Sequence, residues 1–439
     1  MSENTLRHAR AVTALLFGPP SNRRFAVRYW DGSLEGPPGP APFTLVIRSA
    51  GSLRRMLAPP NELAIIEAFL SGDVDIDGDI ESAVWLGDGI NARLRSRGAL
   101  ASLARHVLAL PRTDPPSDVR ELRAEHTVEK VGSPHEPTRD RAAIRYHYDV
   151  GNDFYALWLD RRMVYSCAYF ERGADPEAEL EDAQFAKLDM VCRKLQLQPG
   201  DRLLDVGCGW GALVLHAAAN YGVTALGITL SNAQADLARR RVQEAGLSDR
   251  CRIEIRDYRS LENEEPFDKI SSIGMVEHVG VENLPVYFSA LHAALKPGGL
   301  LLNHGIVSIT EERPRGRWDW LERRLWKRDA FMDQYVFPDG RLGPLSAVVA
   351  AAERSGFETR DVHSLREHYT LTLRAWVARL ERRRADAIGF ADERVYRTWR
   401  LYMAGSAYGF SSGRLNVVQT LLSKPEPDGT THLPLRRQT

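Results

Sequence analysis

The sequence predicts an α/β protein: a doubly wound parallel sheet with a helical cap, preceded by a small α+β module. Three observations carry that prediction. Between residues 200 and 306 short apolar runs alternate with longer helical patterns, the order that builds a parallel sheet. One run, Leu203-Leu204-Asp205-Val206, ends in Gly207-Cys208-Gly209-Trp210-Gly211, with glycines at alternate positions where a strand turns into a helix. Ahead of it, residues 113–140 are rich in Pro, Asp, Glu and Ser without apolar periodicity, which marks a linker behind an N-terminal module of residues 1–112.

The chain has 439 residues, room for two domains, and its 58 basic residues balance 58 acidic ones. That balance excludes bulk attraction to nucleic acid and leaves any anionic contact to a local patch. Four widely spaced cysteines, without a C-x-x-C pair or an H-E-x-x-H helix, argue against a disulfide framework or a zinc site, and no metal is expected. No apolar run reaches the roughly 18 residues needed to cross a bilayer, and no signal-type apolar region opens the chain. The expectation is a thiol-reduced cytoplasmic protein.

Taken in order, the module shows strand-like runs at 25–30 and 43–48 around the turn-rich Gly36-Pro37-Pro38-Gly39-Pro40. Asp73-Val74-Asp75-Ile76-Asp77-Gly78 imitates half a calcium loop, but its twelfth position is Val84 where a bidentate Glu is required, so an acidic surface turn is expected. Residues 91–112 hold five arginines, one histidine and no acid among leucines at near-helical spacing. They read as a basic amphipathic helix packed on its own domain, with a membrane contact as the alternative.

The second domain, 141–425, starts with a helix marked by Leu180, Leu188, Val191 and Leu195. Strands at 223–228, 251–255, 268–273 and 299–306 alternate with helices at 211–220, 231–245 and 283–295. Residues 370–410 read as helical and 414–422 as a final strand, before a tail at 426–439. Ligands of such sheets lie at the carboxyl ends of the strands, so Thr229, Asp257, Glu277 and His304 should share one crevice. The glycines run G-x-G-x-G rather than G-x-G-x-x-G, and the next strand ends in Gly227-Ile228-Thr229 without a ribose-binding acid.

Four stretches belong together: Tyr165-Ser166-Cys167, the glycine turn, Thr229-Leu230-Ser231-Asn232-Ala233-Gln234, and Gly274-Met275-Val276-Glu277-His278-Val279-Gly280. Their order and spacing resemble the cyclopropane fatty acid synthase family, which includes the mycolic acid cyclopropane synthases, a branch of the S-adenosylmethionine-dependent methyltransferases. The likeness spans about 144–422, from Tyr146-His147-Tyr148-Asp149-Val150-Gly151-Asn152-Asp153-Phe154-Tyr155 to Gly409-Phe410-Ser411-Ser412-Gly413. The first 90 residues resemble, more loosely, an accessory lipid-facing domain.

The resemblance implies a Rossmann-like class I methyltransferase sheet and two small ligands, S-adenosyl-L-methionine and a bicarbonate ion. Tyr165 and Ser166 would touch the methionine end of the cofactor, with Asp205, Gly207, Gly209 and Gly211 behind it. Thr229, Ser231 and Gln234 would lie near the ribose, and Asp257 and Tyr258 near the adenine. Cys167, Glu277, His304, the backbone of Ile306, and Tyr369 match the groups that hold bicarbonate in the family. Here Asn303-His304-Gly305-Ile306 replaces a common Leu-His-Thr-Ile run, so His304 is placed by its register with Ile306.

The implied reaction adds a methylene group to the cis double bond of an unsaturated phospholipid acyl chain; the alternative product is a methyl- or methylene-branched chain. An alkene is a poor nucleophile, so the chemistry asks for a strongly electrophilic methyl in a dry pocket and a base that takes a proton without attacking carbon. The implied partner is unsaturated phospholipid at the membrane surface, with the protein peripherally associated and homodimerisation left open. Two stretches are candidates for docking there: 91–112, and 313–328, where Trp318, Leu321 and Leu325 recur among Arg323, Arg324 and Arg328. The second could equally be a helical lid over the acyl pocket.

Overall fold

The computed structural model describes residues 3–58, 62–86, 97–112, 139, 147, 150–309, 331–337, 340 and 342–435. The chain divides into two compact units. The first joins the N-terminal residues to 331–336 and 392–408, so the contiguous second domain expected from the sequence is interrupted twice. Long-range polar contacts inside the first unit explain this: Arg397 donates to Phe69 O at 3.1 Å, and Arg400 to Ile76 O and Gly78 O at 3.2 and 3.1 Å.

In the first unit β1 (Ala26–Arg28), β2 (Leu34–Glu35), β3 (Phe43–Ile47) and β4 (Val74–Gly78) form a sheet in the order β2-β1-β3-β4. Helices Glu3–Phe17, Ala50–Leu57 and Arg97–Leu108 cover it, and Val12, Leu16, Leu53, Leu103 and Val107 share one core with Val27, Leu45 and Ile47. The described part of the basic stretch is therefore a helix packed on its own unit. Residues 91–96, the linker at 113–140 save Arg139, and the stretch 313–328 lie outside the described residues.

The acidic hexapeptide corrects an expectation. It forms β4, paired antiparallel with β3, and not a surface turn. Alternate residues of a strand point to one face, and arginines meet them there. Arg55 pairs with Asp73, Arg48 and Arg397 with Asp75 at 3.1 and 2.9 Å, and Arg28 with Asp77.

The second unit is built on β5 (Arg202–Val206), β6 (Thr224–Thr229), β7 (Cys251–Ile255), β8 (Phe267–Ile273), β9 (Leu295–Ser308), β10 (Glu358–Ser364) and β11 (Leu415–Ser423). Their order is β10-β11-β9-β8-β5-β6-β7, with β5 to β9 parallel and β11 antiparallel to both β9 and β10. Neighbouring residues feed opposite faces. Leu204 and Val206 join the core under helices Leu284–Ala294 and Leu345–Arg354, while Leu203 joins the core under Pro176–Lys194, Ala212–Tyr221 and Asn232–Glu244. From β5 the chain moves outward through β6 and β7, then returns to β8 on the other side. That reversal opens a crevice at the carboxyl ends of β5 and β8.

Candidate active site

A cleft enclosing about 1350 Å³, open solvent at its mouth included, occupies that crevice. Of the residues expected to bind a cofactor, Tyr165, Ser166, Asp205, Gly207, Gly209, Thr229, Gln234, Asp257 and Tyr258 line it. The glycine turn works by two different constraints. Gly209 has φ +53° and nothing within 4 Å of the place a Cβ would take, so its main chain is open to a ligand. Gly207 has φ +78°, and a Cβ there would meet Met275 Sδ at 2.5 Å. Gly211 does not line the cleft: a Cβ on it would meet Ala238 at 3.2 Å, so it serves helix packing rather than a ligand.

Ser231 also stands off the cleft wall. It caps helix Asn232–Glu244, its Oγ accepting from Gln234 N at 3.3 Å, and it is 1% exposed. Thr229 Oγ1 donates to Gln234 Oε1 at 2.8 Å and accepts from Ser231 N at 3.2 Å, so the Thr-x-Ser-x-x-Gln turn is closed by its own side chains. Asp257 accepts from Arg259 N and Nε at 2.9 and 2.8 Å. Tyr165 stands in an aromatic box, its ring 5.4 Å from Trp158 and Trp376 and 5.5 Å from Tyr155. Its hydroxyl lies 3.3 Å from His147 Nε2.

None of the five residues matched to the anion site is in the cleft wall: Glu277, His304 and Ile306 lie on or against β9, and Cys167 and Tyr369 meet at the Leu365 carbonyl. Glu277 is carried by the short helix Val276–Val279, and its Oε1 accepts from Ile306 N at 2.7 Å. The backbone of Ile306, expected at the anion, therefore has its N–H already taken. Glu277 Oε2 is buried with no hydrogen-bond partner, and burial raises the carboxyl from its ordinary 4.5 to about 7. His304 is 2% exposed, its Nδ1 lies 3.3 Å from Gln419 Nε2, and burial lowers it to about 3, so the ring is neutral. The Cys167 thiol donates to Ala168 O at 3.2 Å, with Leu365 O at 3.7 Å, and burial pushes its pKa up, away from thiolate chemistry. Tyr369 N donates to that same Leu365 carbonyl, and the Tyr369 ring lies 4.8 Å from Phe410.

Several residues of the site escaped the sequence reading. Lys187 lines the cleft with its Nζ 2.9 Å from Ser166 Oγ; a charged residue on the apolar face shared by Leu180 and Val191 was the available signal. At Gly305, one of the two departures from the common run, a Cβ would stand 2.1 Å from Val276 Cγ1 and 3.6 Å from Glu277 Oε2, so the glycine suits the close approach of that helix to β9. Asn152 ties the Gly151-Asn152 stretch to the glycine turn by accepting from Trp210 Nε1 at 2.7 Å. His278 also lines the cleft and is held neutral by burial, which lowers it to about 4.

A seven-stranded sheet with one reversed strand next to its edge, and a glycine turn at the reversal of strand order, is the architecture of class I methyltransferases. The chain belongs to the family described as Mycolic acid cyclopropane synthetase, whose family model matches residues 135–420. It is 40% identical over 413 residues to a Pseudomonas putida protein named "Probable fatty acid methyltransferase", covering 94% of this chain and 95% of that one. Against Mycobacterium tuberculosis cyclopropane mycolic acid synthase 1 it is 36% identical over 283 residues, 64% of this chain and 97% of the other. The crystal structure of mycolic acid cyclopropane synthase CmaA1 complexed with SAH and CTAB aligns with a TM-score of 0.59 at 36% identity, over 66% of this chain and 99% of that one. The protein is thus an S-adenosylmethionine-dependent methyltransferase of that family.

Proposed function

We propose that the protein transfers a one-carbon unit from S-adenosylmethionine to the cis double bond of an unsaturated phospholipid acyl chain and closes a cyclopropane ring. The observation that carries this reading is Glu277, a buried carboxyl with one oxygen fixed by Ile306 N–H and the other without a partner, on a short helix whose His278 and Val279 line the cleft. Addition to an alkene leaves a proton on the transferred methyl group that must be removed, and a buried carboxyl with one free oxygen suits the holding of a base for that step.

Bound in the cleft, S-adenosylmethionine supplies an electrophilic methyl group, and a bicarbonate ion supplies an oxygen base. The residues present fit both. Gly209 leaves the main chain open to the cofactor, and Thr229, Gln234, Asp257 and Tyr258 line the far side. Glu277 Oε2 would hold the protonated oxygen of bicarbonate, with the neutral His304 ring and the Tyr369 hydroxyl as further hydrogen-bonding groups. Tyr369 and Phe410 offer aromatic faces to the positive charge that develops on the acyl chain. The aromatic box around Tyr165 keeps that end of the cleft dry. Among the described residues no helix is long and apolar enough to cross a membrane, so in this reading lipid is reached from the membrane surface.

A second reading keeps the same methyl transfer but resolves it as a methyl- or methylene-branched chain. It is favoured by the relative that matches 94% of this chain, which is named as a fatty acid methyltransferase. Incubation with S-adenosylmethionine and defined unsaturated phospholipids, followed by mass and proton NMR analysis of the released fatty acids, separates the two. Cyclopropane ring protons support the first reading. Branched products establish the second, and no cofactor consumption with any unsaturated lipid overturns both.

A further inference from the structure

Lys187 is a charge in the cleft that the proposed reaction leaves unused. It projects from helix Pro176–Lys194, is 1% exposed, and lines the cleft. Its ammonium touches one neutral group, Ser166 Oγ at 2.9 Å, and among the described residues no carboxylate pairs with it. An ammonium has three donors, so two remain. Asp205 stands in the same wall at the end of β5, 3% exposed, with Oδ1 accepting from Ser271 Oγ at 2.6 Å. Burial lowers Lys187 to about 8 and raises Asp205 to about 6; the buried Asp160 and Asp205 both partly offset the lysine through space, and neither is in contact with it.

Two buried opposite charges that do not close on each other bear a desolvation cost with no direct pair to offset it. A ligand with a carboxylate and an ammonium on one carbon satisfies both. We infer that Lys187 anchors the α-carboxylate of the cofactor's amino-acid end, while Asp205 faces its α-ammonium, so that the cleft recognises a zwitterion. Ser166 then orients the lysine as well as lining the cleft. The inference rests on reading the cleft as the S-adenosylmethionine site.

The test is calorimetric and uses three ligands on the full chain: S-adenosylhomocysteine, its analogue with hydrogen in place of the α-carboxylate, and its analogue lacking the α-amino group. Wild type should prefer the carboxylated parent to the decarboxylated analogue by about 30-fold, the range of a charged hydrogen bond. Lys187→Met, which keeps the volume and removes the charge, should reduce that preference to within about 3-fold while the penalty for the missing amino group persists. If the variant weakens all ligands equally, or wild type shows no carboxylate preference, the inference is overturned. Lys187→Gln carries the same comparison should the methionine variant not fold, as judged by circular dichroism. Failure of wild type to bind S-adenosylhomocysteine at all would instead remove the cofactor reading, and this inference with it.

Discussion

In the first unit Asp73, Asp75 and Asp77 each face an arginine, whereas in the second Glu277 keeps one buried oxygen without a partner and Lys187 touches only a hydroxyl. The first set resembles a ligand site in sequence and is closed in structure. Burying an uncompensated charge is costly, so a fold retains one where something else completes it. Satisfaction of charge within the protein, and not the number of acids in a motif, separates the two regions.

The largest test of this contrast is Glu277→Gln. Product formation should fall by about 1000-fold or more, while S-adenosylhomocysteine affinity measured by calorimetry stays within about threefold. A parallel loss of cofactor affinity would erase the distinction between a base-holding group and the cofactor wall. In wild type the rate should rise through about pH 7 as the carboxyl ionises, and the variant should lack that limb. The linkage has a definite sign. The folded state holds this proton more tightly than the unfolded chain between 4.5 and about 7, so stability falls as pH rises across that window. Denaturant titrations at pH 8 should therefore find Glu277→Gln more stable than wild type by up to roughly 3 kcal/mol, with little difference at pH 4.

Next is Gly209→Val, which places a branched side chain where the main chain is open and φ is +53°. Affinity for S-adenosylhomocysteine should drop by about 100-fold or more. Unchanged binding in a folded variant would reduce the glycine turn to a structural device.

In the first unit the effects should fall on stability alone. Arg397→Met removes the 6%-exposed partner of Asp75 and should cost about 2–3 kcal/mol in chemical denaturation, with S-adenosylhomocysteine affinity unchanged. Asp77→Asn breaks a pair whose side chains are 45% and 52% exposed, and should cost no more than about 0.5 kcal/mol. A change in cofactor affinity in either variant would show that the acidic strand is coupled to the cleft after all.

Legibility followed the range of the interaction. The strand that becomes β5, the glycine turn and the parallel strands were readable because period, chain order and special backbone angles are local properties. β4 was misread because Asp-Val-Asp-Ile-Asp satisfies both a loop motif and a strand's alternation, and the arginines that decide between them come from 28, 48, 55 and 397. β10 was missed because it is an edge strand whose residues alternate between exposed and half-buried, leaving no apolar run to find.

By itself the sequence determined the α/β class and a crevice at the carboxyl ends of the parallel strands, since these follow from hydrophobic period and strand order, while Tyr165, Ser166, Gln234 and Tyr258 entered through the family resemblance. Only the tertiary structure decided that Gly211 and Ser231 serve packing and capping, that Ile306 N–H is spent on Glu277, and that Lys187 stands beside Ser166. Each of these depends on where a donor or a Cβ ends up after distant elements meet. No local pattern encodes that.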